Sequence, residues 1–155
     1  EADSDRAHAE NFRINRDMRF SKDKTPYNTH LHISFLPNGI KPAWMFGLAP
    51  DYLTLGVGNF RFEKSELEAY RARVAGRSGI KLTKNLKALI AKPELKRVPR
   101  EFPQDHPRAE LLRQKSLLVW MDIKNPKAAT KPSIIDACSK NYRTLKPVFD
   151  WLADL

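Results

Sequence analysis

The chain has 155 residues, 41% of them hydrophobic, and carries 28 Lys and Arg against 18 Asp and Glu for a formal net charge of +10. That length supports one compact domain with its own core and is short for two, while the charge favours acidic partners such as nucleic acid, nucleotides, phosphorylated metabolites or an anionic membrane surface. The single cysteine, Cys138, excludes an intrachain disulfide, and no window approaches the roughly twenty apolar residues of a spanning helix, so a soluble cytoplasmic protein without membrane association is expected.

In chain order, residues 1–11 are polar and read as frayed, or as the end of an upstream helix. Residues 13–27, RINRDMRFSKDKTPY, set Arg13, Arg16, Arg19, Lys22 and Lys24 around only two acids, Asp17 and Asp23. Such cations either stay in water or face an anion, because an unpaired buried charge is costly. Ile14, Met18, Phe20 and Tyr27 interleave them and would tie the segment to a core, and Asp17 is placed to orient the guanidinium groups of Arg16 and Arg19. The segment is expected to be extended and to turn at Thr25-Pro26.

Residues 30–36 alternate, with His30, His32 and Ser34 on one face and Leu31, Ile33 and Phe35 on the other, the period of a half-buried strand. Asn38-Gly39 signals a hairpin, residues 43–49 a second strand, Pro50-Asp51 a turn and residues 52–60 a third strand, giving an antiparallel meander. The period then changes. Residues 63–75 carry Leu67, Tyr70 and Val74 at helical spacing with Gly76 as a stop, and residues 83–91 form a second predicted helix with Thr83 as cap. Residues 95–106 hold Pro99 and Pro103 and should be irregular, and residues 107–114 a short helix with Asp105 nearby as cap. Residues 117–123, LLVWMDI, suit a central strand. Ser133 caps a last helix over residues 134–152, with Ile135, Cys138, Tyr142, Leu145 and Phe149 along one stripe and Pro147 expected to kink or divide it. The predicted class is α+β: a largely antiparallel sheet of about four strands with helices packed on one face.

Specific chemistry is sparsely marked. His30 and His32 on one strand face could ligate a metal only with a third ligand, and none stands at diagnostic spacing, so no metal site is expected. His30 is left as an acid, a base or an anion contact. Gly56 and Gly58 in LGVGNF lack the following GKS or GKT of a phosphate loop and suit bends in a strand. No serine-hydrolase elbow, CxxC pair or cofactor motif occurs, and no cofactor is expected. A second basic cluster, Lys96, Arg97, Arg100, Arg108, Arg113 and Lys115, follows the irregular segment.

The segment 13–27 resembles the signature R-x-x-R-D-x-R-F-x-x-x-[D/N]-K-x-x-Y of a bacterial and fungal family of conserved domains of unknown function. All its fixed positions are met by Arg13, Arg16, Asp17, Arg19, Phe20, Asp23, Lys24 and Tyr27. The likeness continues through Thr29-His30, LKRVPREFPQDHPRAELLRQKS and the C-terminal PVFDWL. Members of that family are usually longer, with a helical N-terminal part, so this chain, which begins at Glu1, is expected to lack such a part. The resemblance implies a fold and a set of positions but no activity.

Because the resemblance spans both basic clusters, they are expected to converge on one pocket. Arg13, Arg16, Asp17, Arg19, Lys24, Arg97, Arg100 and Lys115 would bind an anionic small molecule there, with Tyr27 and His30 as candidate catalytic groups. Two alternatives stand beside this reading. The charge and aromatics such as Trp44 or Phe60 would serve a nucleic-acid-binding protein. Alternatively, Asp17, Asp23, Glu101 and Asp105 pair the cations in a stabilising ion network within a structural or partner-binding module.

Overall fold

The computed structural model describes residues 8–12, 19, 22, 27–37, 41–86, 90–123 and 126–155. Within them, strands β1 (His8–Asn11), β2 (Leu31–Leu36), β3 (Ala43–Leu48), β4 (Leu53–Asn59) and β5 (Leu117–Ile123) form one antiparallel sheet in the order β1-β2-β3-β4-β5. With helices α1 (Lys64–Ala75), α2 (Arg77–Leu86), α3 (Ala109–Leu112) and α4 (Ile134–Ala153), the class is α+β, as the pattern predicts. The additional strand is β1, which for residues 8–11 corrects the expectation of a frayed or helical segment. Its sequence, HAEN, has no apolar alternation, and Ala9 and Glu10 are exposed. Backbone pairing with β2, Glu10 opposite Ser34, makes the strand instead of side-chain burial. The predicted Asn38-Gly39 turn lies outside the described residues, but β2 and β3 on either side do pair, Ser34 opposite Met45.

Register sorts the side chains onto two faces. Val57 of β4 stands opposite Trp44 and Val119, and this face carries the helices. Trp44 stacks on Phe149 of α4 with ring centroids 4.7 Å apart, and the edge of Tyr142 meets it at 5.1 Å. Trp44 is therefore a packing residue and not the base-stacking surface considered above. The last strand of the order, β5, is not central, yet its Leu117 and Val119 are fully buried in the core and Ile90 bridges to Val119 on its outer side.

Among the helices, α1 opens on a reciprocal box in which the Glu63 N–H donates to the Glu66 carboxylate at 2.7 Å, and it stops where the Gly76 N–H reaches the Ala72 carbonyl. α2 starts at Arg77, six residues before the expected Thr83 cap. Thr83 lies inside it, its hydroxyl donating to the Gly79 carbonyl at 2.7 Å, which satisfies the hydroxyl without ending the helix. α4 runs unbroken through the exposed Pro147, so the proline does not divide it. Its buried stripe is Leu145, Val148, Trp151 and Leu152, whereas Ile135 is 72% exposed because the first turn extends beyond the core. Among the described residues no helix is long and apolar enough to cross a membrane.

Candidate functional site

Antiparallel register brings four segments together at one end of the sheet. Leu31 opens β2 opposite Leu48, which closes β3 opposite Leu53, and Leu53 stands opposite Ile123 at the end of β5. The β3–β4 turn is closed by the Ala49 N–H donating to the Tyr52 carbonyl at 2.9 Å. A 3₁₀ helix, Pro126–Thr130, carries the chain from β5 back toward α4. Between these segments lies a cleft of ≈ 540 Å³ with Leu31, Leu48, Ala49 and Pro50 as its apolar wall and Asn28, Thr29, His30, Lys127 and Thr130 as its polar one. A mostly apolar hollow with a few convergent polar groups is the usual make-up of a small-ligand site.

Behind His30 a short polar chain runs into the sheet. The rings of His30 and His32 lie 4.7 Å apart, tilted by 36°, and His32 Nε2 is 2.9 Å from the Tyr52 hydroxyl in hydrogen-bond contact. Burial, and then the neighbouring His30, hold the His32 imidazole below its usual value of about 6.5, because both disfavour its charged form. The sign of the linkage follows. In the unfolded chain the imidazole takes its proton at the usual pH, so the contribution of His32 to stability is complete above about pH 6.5 and is lost as pH falls through the lower folded value. Thermal unfolding is expected at lower temperature at about pH 5 than at about pH 7, with a smaller difference in His32→Asn, measured by circular dichroism.

Of the sequence-predicted site residues, His30 lies in the cleft wall. Arg13, Arg16, Asp17 and Lys24 fall outside the described residues, as does the predicted Thr25-Pro26 turn. Arg19 is exposed, and Tyr27 is 61% exposed and absent from the described wall of the cleft. Arg97, Arg100 and Lys115 are exposed and do not line the cleft. Lys115 precedes β5, and that seven-residue strand runs roughly 20 Å away from it before reaching the end where the cleft opens. His30 thus lines a cleft whose described wall does not include these three cations.

Two members of the second cluster are drawn into the fold. Arg108 donates from Nε to the Val74 carbonyl and from Nη2 to the Ala75 carbonyl, both at 2.6 Å, capping the C-terminus of α1 where orphan carbonyls and the helix dipole favour a cation. Arg113 buries its Nε without a partner. The ion pairs among the described residues are Lys41–Glu66, Arg73–Asp154 and Lys146–Asp150. Glu101 and Asp105 therefore do not pair Arg97, Arg100 or Lys115, and the proposed ion network finds no support in this cluster.

Sequence reasoning missed Lys127 and Tyr52. Lys127 sits in a loop of Pro, Lys and Ala with no diagnostic spacing, and it reaches the cleft only because the 3₁₀ helix folds back from β5. Tyr52 is twenty residues from His32, and only the β2–β3–β4 register brings the two within bonding distance.

A family model described as a conserved hypothetical protein (DUF2461) matches residues 2–151. No curated protein and no solved structure matches the chain.

Proposed function

The chain belongs to the conserved hypothetical family DUF2461, and because that membership carries no activity with it, we propose from the cleft itself that the protein binds a small anionic ligand with an apolar body, a phosphate monoester or a carboxylic acid. The observation that carries this reading is the meeting of His30 and Lys127 in one hollow walled by Leu31, Leu48 and Pro50. Lys127 supplies a fixed positive charge, Thr29, Thr130 and Asn28 supply hydrogen bonds, and the apolar wall takes the rest of the ligand. Arg13, Arg16, Arg19 and Lys24, with Asp17 to orient them, belong to the connection that leads into Asn28 and Thr29, and they are assigned to the same anion as further contacts. Tyr27 at the end of that connection is a candidate polar group for the bound ligand.

His30 is the group best placed for proton transfer. Its ring lies against that of His32, which is hydrogen-bonded to Tyr52, and His30 itself is exposed and lines the cleft. Phenyl phosphate and benzoate at millimolar concentration are expected to raise the melting temperature of the full chain, by linkage to the folded state. Lys127→Ala and His30→Ala should lose that response while melting at the parent's temperature without ligand. A parent that does not respond, or variants that respond equally, would remove the cleft as the site.

A further inference from the structure

We propose that the corner where β4 ends and β5 begins binds single-stranded nucleic acid, through an aromatic pair for bases and four cations for phosphates. This surface shares no residue with the cleft, so the two readings fail separately.

The aromatic pair is Phe12 and Phe60, which are 46% and 48% exposed with ring centroids 5.8 Å apart, edge to face. Phe12 is held by its N–H donating to the His32 carbonyl at 3.0 Å, and Phe60 directly follows Asn59, whose partner across the sheet is Leu117. Each residue is thus in contact with the other ring and still about half exposed, which leaves aromatic surface open for a base to stack on.

The cations are placed around Phe60 by backbone bonds. The Phe62 N–H donates to the Lys115 carbonyl at 3.3 Å, which sets Lys115 and Arg61 at the same strand end. The Glu94 carboxylate accepts the Lys115 N–H at 2.9 Å and the Ser116 hydroxyl, and the Leu95 N–H donates to the Arg113 carbonyl at 3.0 Å, so Lys96 and Arg97 lie beside Lys115. Beyond them the loop is stiffened by Gln104, which donates to the Val98 carbonyl at 2.7 Å and accepts the Val98 N–H at 3.2 Å. Glu94, the acid nearest to Lys96 and Arg97 in sequence, accepts these two donors. Arg61, Lys96, Arg97 and Lys115 are all exposed, and among the described residues none has a carboxylate within ion-pair distance. Exposed cations with no carboxylate partner among the described residues, beside an aromatic pair, match the alternation of phosphate and base in a single strand, and stacking is tolerant of base identity, so little sequence preference is expected.

Fluorescence anisotropy of labelled oligothymidylate with the full chain, at about 50 and about 200 mM salt, tests this. Binding should weaken with salt at a logarithmic slope of about −3, from about −0.7 for each of four phosphates neutralised on a single strand. Replacing Lys96 and Arg97 together by alanine should flatten the slope by about 1.4. Phe60→Ala should weaken binding about fivefold or more at an unchanged slope. Each changed side chain is exposed, and circular dichroism melting confirms that the variants fold. The proposal is overturned by absence of binding at the lower salt or by a Phe60→Ala variant that binds like the parent. Tight binding to phosphatidylserine vesicles that oligothymidylate does not displace would overturn it equally.

Discussion

Gly58→Ala is expected to lower stability by about 2–6 kcal/mol, combining about 1–3 kcal/mol of backbone strain with about 1–3 kcal/mol of overpacking. Gly58 sits in β4 at φ 153°, a conformation that side-chain-bearing residues rarely adopt, and a Cβ there would run into the Leu117 carbonyl of β5. That obstacle is backbone in the neighbouring strand, paired with β4 along seven residues, so it cannot turn aside without opening the ladder. Gly56 is the control two residues away. A Cβ at Gly56 would come within 2.7 Å of the Trp120 ring, a side chain that can rotate, so Gly56→Ala should cost less. Urea denaturation of both variants measures the difference. A Gly58→Ala loss under about 1 kcal/mol, below the strain term alone, would mean that the β4–β5 pairing is not as described.

Tyr70→Ala is expected to cost about 3–5 kcal/mol, the range for removing a large aromatic side chain from a core. Tyr70 of α1 is fully buried, stacked on Phe62 at 4.7 Å and meeting the edge of Trp151 at 5.9 Å, so one ring joins the start of α1 to the end of α4. Its hydroxyl donates to the Leu111 carbonyl of α3 at 3.1 Å, and burial raises its pKa far above the ordinary phenol range, which keeps it a neutral donor. Tyr70→Phe isolates that hydrogen bond. The Leu111 carbonyl keeps the Gln114 N–H at 3.1 Å, so the loss is that of one hydrogen bond, about 0.5–1.5 kcal/mol. For a chain of this size the alanine variant should melt roughly 6–20 °C lower, taking about 2–4 °C for each kcal/mol. Equal losses for Phe and Ala would show that the ring packing contributes nothing.

The fold was largely legible where one physical rule governed a segment. Alternation marked β2, and helical spacing with Gly76 as a stop marked α1. An almost wholly apolar run marked β5. Elements held by longer-range contacts were harder. β1 exists through backbone pairing with β2 and has no pattern of its own, and α2 begins at Arg77 although Thr83 looks like a cap. The same distinction applies to the site. His30 could be singled out from its strand, but Lys127 and Tyr52 are brought to it by strand register and a returning 3₁₀ helix. Arg108 illustrates the converse: in sequence it belongs to a basic cluster, and in the fold its guanidinium is spent on the carbonyls that end α1.

Assignment of anion binding to the cleft is tested most directly by NMR titration of the full chain with phenyl phosphate. The His30 ring and the backbone amides of Thr29, Ala129 and Thr130 are predicted to shift together along one saturable curve, and the curve is predicted to disappear in Lys127→Ala. Shifts confined to Arg97, Arg100 and Lys115, or a response in the parent that survives Lys127→Ala unchanged, would contradict it.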